Sequence, residues 1–197
     1  IKKKNKKLFE FLLQKMPLPE FALFEAVSTH DLEIVDLILN YNSKPSFVNL
    51  KKPEGTALYV AARNKDLDIV KRLFSVKGIE PSAKNEYNES IFTLAVNNYD
   101  FDLIESFFNF YGDDIQYKYF VYEELPRLSD KINGNPDNIT IWKIVKKVFE
   151  NKYIDPNYCD FSTFLYKACL YNKFDIVENL LKLERIDVNK NEIESCN

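Results

Sequence analysis

Histidine occurs once in these 197 residues and cysteine three times, which leaves little material for metal or acid–base chemistry. The cysteines, Cys159, Cys169 and Cys196, are odd in number and none stands in a C-x-x-C spacing. A disulfide framework is therefore not expected, and a reducing, cytoplasmic setting is. Glycine is also scarce, at 4, and neither G-x-x-x-x-G-K-[ST] nor G-x-G-x-x-G is present. That argues against a phosphate-cradling loop and against a turn-rich β protein. No apolar run approaches the length of a bilayer span. A basic surplus is missing too: 27 Lys and Arg against 30 Asp and Glu leave a net charge of −3, the wrong sign for a dedicated nucleic-acid binder. Lys2 to Lys7 read as a solvated helix end rather than a lipid or nucleic-acid contact. The apolar stretch after them is broken by Glu10, Gln14 and Lys15, so it is no signal-peptide core.

What is present is globular. With 46% hydrophobic and 29% charged residues, wholesale disorder is excluded. Heavy use of Lys, Asn, Ile, Phe and Tyr suggests an AT-rich genome, a codon effect rather than a function.

A short pattern returns along the chain. Leu32-Glu33-Ile34-Val35 recurs as Leu67-Asp68-Ile69-Val70, Phe101-Asp102-Leu103-Ile104 and Phe174-Asp175-Ile176-Val177, with Trp142-Lys143-Ile144-Val145 as a degenerate copy. The intervals are 35, 34, 41 and 32 residues. Upstream of each clear copy lies a small, apolar pattern with alanine at its heart: Ala26, Ala61, Ala95 and Ala168. From Asp66 to Phe74 the apolar residues fall on one face of a helix. Each unit thus reads as two short helices with a tight turn between them and a polar connection after them. Ala61, Ala95 and Ala168 are predicted to be buried between helices, and the small side chains let the helices approach closely. A pair this short cannot bury its apolar face alone, so pairs must stack.

Thr56-Ala57-Leu58-Tyr59-Val60-Ala61-Ala62 and the run on to Val70 resemble the T-P-L-H-x-A-A-x-x-G-H-x-x-I-V signature of the ankyrin-repeat family. The connections Ile79–Asn85, Ile154–Asn157 and Ile186–Asn189 are similar to its hairpin segment. The resemblance covers roughly 18–112 and 139–190. It implies an all-α, ankyrin-type solenoid of about five units, the fourth irregular: a leading or capping helix over 1–17, repeats over 18–49, 50–82, 83–112, 113–157 and 158–190, and the start of another over 191–197. Where the family has glycine at the helix turn, this chain has His30, Lys65, Tyr99 and Asn172. If those positions require φ > 0, Asn172 and His30 tolerate it better than Lys65 or Tyr99.

In the irregular unit a second helix is expected from Ile139 to Asn151. Its first helix has no clear place: the aromatic stretch Ile115–Leu125 is followed by Pro126, and Tyr117, Tyr119, Phe120 and Tyr122 read as alternating core and boundary packing of a distorted unit rather than an exposed aromatic patch. Asn133-Gly134-Asn135-Pro136-Asp137 reads as an inserted turn, and residues 129–138 are predicted to form an exposed loop, with Lys131 cut first by trypsin. An apolar stripe from Lys4 to Met16 reads as a helix of an incomplete leading unit. Because Ile186–Asn189 announces a further connection, the chain reads as a piece of a longer protein.

No catalytic, cofactor-binding or metal-binding residues are expected. His30 reads as a turn residue beside Asp31. In the family that the chain resembles, partners are held by hairpin tips and by the inner, concave face of the first helices. The matching positions give Arg63, Asn64, Glu86, Tyr87, Asn97, Asn98, Phe161, Leu170 and Tyr171 as candidate partner-binding residues. The implied function is non-catalytic binding of another protein, with no nucleic acid, membrane or small-molecule substrate. The alternative is a regulatory or targeting domain of a larger enzyme.

Overall fold

The alanine at the heart of each repeat does two things in the computed structural model. Ala61, Ala95 and Ala168 are fully buried, as predicted. Their carbonyls also close the helix that carries them. The N–H of Asp66 donates to the carbonyl of Ala61 (3.1 Å) while that of Lys65 donates to Ala62 (3.0 Å). The same pair of bonds ends the equivalent helices at Ala95 (2.8 Å, from Asp100) and Ala168 (2.8 Å, from Lys173). This is a Schellman closure, which needs a left-handed residue one step after the helix cap. His30, Lys65, Tyr99 and Asn172 supply it at φ 58, 63, 55 and 54°. The turn positions do require φ > 0, and the chain meets that requirement without glycine.

The structure describes residues 11, 15–112, 117–155 and 161–183, with side chains at 161–163 left aside. They divide into two compact units, residues 1–94 and 95–197. The stripe from Lys4 to Met16 and the connection at Ile186–Asn189 fall largely or wholly outside the described residues.

In the first unit, α1 (Ala22–Ser28) and α2 (Leu32–Tyr41) form one helix pair, α4 (Ala57–Arg63) and α5 (Leu67–Phe74) the next. A short α3 (Pro45–Val48) and the two-residue strands β1 (Lys51–Lys52) and β2 (Gly55–Thr56) connect them. The strands pair antiparallel, Lys51 with Thr56 and Lys52 with Gly55. Gly55 is required there: its φ is +120°, and an added Cβ would sit 2.9 Å from the Tyr59 ring. Thr56 then caps α4, its hydroxyl accepting the N–H of Tyr59 (3.2 Å). First helix packs on first helix, α1 on α4, and second on second, α2 on α5.

Helix α6 (Ile91–Asn98) opens the third repeat. Ser90 and Thr93 cap it reciprocally: the N–H of Thr93 donates to Ser90 Oγ (3.0 Å), and the N–H of Ser90 to Thr93 Oγ1 (3.2 Å). In the second unit follow α7 (Phe101–Tyr111), α8 (Tyr117–Tyr122), α9 (Leu125–Gly134), α10 (Ile139–Glu150), α11 (Phe161–Leu170) and α12 (Phe174–Leu181). The expected second helix from 139 is α10, capped by Asn138, whose side chain accepts the N–H groups of Thr140 and Ile141.

The prediction of an exposed loop over 129–138 is overturned. Residues 125–134 are helix α9, with Leu128, Ser129 and Ile132 buried. Pro126 lies in the first turn of α9, where a missing N–H costs nothing, and so it does not end a helix. Only Asn135–Asn138 remain as turn, closed by Trp142 Nε1 donating to the carbonyl of Pro136 (2.8 Å). Helix α9 pairs with α10 and packs on α11, so it is the first helix of the irregular unit. The extra residues lie upstream, in α8. Its aromatic side chains are core: Phe120 and Tyr122 are buried, and Phe107, Tyr111, Tyr117 and Phe120 stack edge and face at 4.5–5.9 Å between centroids. Tyr119 is the exception, exposed at the surface.

Candidate functional site

The candidate residues fall in two places, each belonging to one compact unit. In the first, Arg63 is the exposed last residue of α4 and Asn64 its half-buried cap. Glu86 and Tyr87 sit at the next connection. That connection is rigid. Asn85, buried, accepts the N–H groups of Tyr87 and Glu89 on its side-chain oxygen, both at 2.9 Å. Its own N–H donates to the carbonyl of Glu89 (2.9 Å), and Asn88 turns the chain at φ 60°. The N–H of Glu86 donates to the carbonyl of Pro53 (3.0 Å), which ties this tip to the β1–β2 hairpin of the preceding repeat. Tyr87 stands on that frame with 75% of its surface exposed. Below it, Tyr59 Oη donates to Glu89 Oε2 at 2.8 Å. Burial first, and then the Glu89 carboxylate, push the Tyr59 phenol from its usual 10 up to about 12.

Ser28 and Thr29, which match the same register one repeat earlier, turn their hydroxyls onto carbonyls of their own helix, those of Phe24 and Ala26 (2.9 and 2.7 Å). In the second unit, Asn98 is exposed and Asn97 half-buried at the end of α6. Leu170 is exposed at the end of α11 and Tyr171 half-buried after it. Phe161 begins α11; its side chain and Asp160 lie outside what is described.

His30 is not a bare turn residue. Its Nδ1 lies 2.8 Å from Asp66 Oδ2, 36 residues on. Asp66 is the residue that should cap α5, and its side chain makes no cap bond. The partner of His30 is thus a carboxylate drawn away from capping, and the pair ties the turn of one repeat to the turn of the next. Asp137 and Lys173 do the same in the second unit, at 3.0 Å and again 36 residues apart. Arg72 reaches back to Asp36 across α5 and α2 (2.5 Å).

Residue reading overlooked the asparagines of the connections. Asn49 clamps the connection of the following repeat, donating to the carbonyl of Gly78 (2.7 Å) and accepting the N–H of Glu80 (2.9 Å). Asn151 likewise donates to the carbonyl of Gly112 (2.7 Å). Also unforeseen is an apolar hollow of about 390 Å³ in the first unit, lined by Pro17, Pro19, Ala22, Ala26, Ile34 and Ile38 among others. Among the described residues no group of three or more His, Cys, Asp or Glu could hold a metal, and no helix is long and apolar enough to cross a membrane.

The family model of ankyrin repeats matches residues 1–85, in three copies. No curated protein and no solved structure matches the chain.

Proposed function

Because residues 1–85 belong to the ankyrin-repeat family, an all-α class built as a solenoid of stacked helix pairs whose members generally bind other proteins, we propose that this chain is a non-catalytic protein-binding module. Its partner is another protein, held at the hairpin tip of Tyr87 and at the helix end of Arg63. One observation carries the reading: Tyr87 is largely exposed on a loop whose backbone is fixed at both ends by Asn85 and tied to Pro53. An amphipathic side chain with few rotatable bonds, presented on a backbone already held, binds at a reduced ordering cost. Arg63 adds a planar fork of donors, exposed at the end of α4. A cytoplasmic setting goes with this reading, since Cys169 is an exposed free thiol.

The test is a titration against a partner recovered by pull-down, with a melting curve beside it. Tyr87→Ala and Arg63→Ala should each weaken binding by about 1–3 kcal/mol and change stability by less than about 0.5 kcal/mol. Full affinity in the double variant would place the interface elsewhere.

A further inference from the structure

Three arginines lie among the described residues, and two of them are committed. Arg72 Nε donates to Asp36 (2.5 Å), and Arg127 Nε to Glu124 (3.0 Å). Arg63 is exposed at the end of α4, and its guanidinium has no partner among the described residues. Lys65, two residues on, is exposed as well, and its ammonium has none among them either. Carboxylates of the same repeats are engaged elsewhere. Asp66, three residues past Arg63, holds His30 Nδ1 (2.8 Å), Glu89 accepts the Tyr59 hydroxyl (2.8 Å), and Glu25 pairs with Lys52 (3.5 Å). The end of α4 therefore carries two unpaired positive charges in a chain whose net charge is −3.

This helix end is linked to the hairpin tip. Arg63 stands one turn after Tyr59 on α4, and its charge favours the Tyr59 phenolate, against the burial and the Glu89 carboxylate that oppose it. Tyr59 in turn bonds Glu89, two residues past Tyr87. The planar fork of a guanidinium is matched by a carboxylate, which accepts two parallel N–H bonds from it. At the tip the sign reverses: Glu86 is exposed beside Tyr87 and repels a second acid there. Resting on the reading of this surface as protein-binding, we propose that the partner docks a short segment with one isolated Asp or Glu side chain. Its carboxylate sits on Arg63, with Lys65 adding attraction, and an apolar side chain beside it packs on Tyr87. A polyacidic tract does not fit, because it would bring a like charge to Glu86.

The test is a random peptide library panned against the 197-residue chain, with enriched peptides synthesised and titrated by fluorescence anisotropy. They should carry an Asp or Glu next to an apolar residue. Neutralising that acid in the peptide, or Arg63→Gln in the protein, should each weaken binding about tenfold. The two changes together should weaken it little more than either alone, which marks a direct pair. Arg63→Lys, which keeps the charge and loses the fork, should recover only part of the loss. Polyglutamate should not compete, and the melting temperature should stay in place in both variants. Peptides that require Tyr87 and are indifferent to Arg63→Gln would overturn the acidic segment and leave the protein-binding reading standing. Displacement by a thymidine oligonucleotide would overturn it in favour of a phosphate-bearing partner. Enriched peptides that depend on neither Tyr87 nor Arg63 would overturn both readings.

Discussion

In the second repeat two helices, α4 and α5, meet across a single left-handed residue, Lys65. In the fourth unit three helices, α8 to α10, occupy the same span of the repeat pattern, and the turn before α10 contains no left-handed residue. The second repeat uses small side chains: Ala61 and Ala62 leave room, and a two-residue hairpin returns the chain. The fourth uses bulk. Leu128 and Ile132 face inward from α9, and the rings of α8 pack with Phe107 and Tyr111 of α7. The polar consequences differ as well. Val60 of α4 has Lys167 as its counterpart on α11, and that lysine is buried. Its Nζ donates to the carbonyl of Ser129 (3.1 Å) and to Ser129 Oγ, so the irregular unit supplies the partners that a buried ammonium needs. The comparison teaches that the repeat is conserved here as a set of burial positions and not as a set of residues.

The sharpest way to break that comparison is to empty the fourth unit. Ile132 is fully buried. Ile132→Ala should destabilise by about 2–5 kcal/mol, the cost of a cavity in a packed core. A urea melt reads it. A loss under about 0.5 kcal/mol would return 129–138 to an exposed segment.

How much of this could be read from residues alone follows from the same contrast. The helix pairs at 22–41, 57–74, 91–111 and 161–181 were legible because an apolar stripe and a buried alanine recur at a fixed interval. The left-handed turns were legible as positions, since all four stand where the family has glycine. Helix α9 was not. Pro126 signals a break unless it lies in a first turn, and only the structure shows that it does. The aromatic run before it has the period of neither a helix stripe nor a strand. Of the surface, Tyr87 and Arg63 could be placed by register. The clamps could not: Asn49 and Asn151 were hidden among asparagines attributed to codon usage, and His30 finds its carboxylate one repeat away rather than next door at Asp31.

A smaller effect separates the hydroxyls of the two regions. Tyr59 Oη donates to a carboxylate, whereas Tyr122 Oη accepts the N–H of Asp155 (2.7 Å). Tyr59→Phe should cost about 1–2 kcal/mol, the range for a bond to a charged group. The pH dependence has a definite sign. The folded-state phenol titrates near 12 and the unfolded one near 10, so the neutral donor's contribution is whole below pH 10 and drains away as pH rises to 12. Stability measured from pH 9 to 12 should therefore fall more steeply in the parent than in Tyr59→Phe. Parallel curves would show that the Tyr59–Glu89 bond contributes nothing to folding.

The smallest effect is the one that tests the turns. Lys65 is exposed at φ 63°, a conformation that costs a side-chain-bearing residue about 1–2 kcal/mol. Glycine relieves that strain but gives back about 0.5–1 kcal/mol through the freer unfolded chain. Lys65→Gly should accordingly stabilise by about 0.5–1 kcal/mol. In the fourth unit the logic inverts. Gly134 is the last residue of α9, it is not left-handed, and an added Cβ would meet nothing within 4 Å. Gly134→Ala should stabilise by about 0.4–1 kcal/mol for the opposite reason, by restricting the unfolded chain at a site that alanine fits. Thus adding a glycine to one region and removing one from the other should both raise the midpoint of a urea melt. If Lys65→Gly destabilises, the Lys65 side chain does work in the turn that its exposure conceals. If Gly134→Ala destabilises, α9 ends earlier than Gly134 and the turn into α10 needs the freedom that glycine provides.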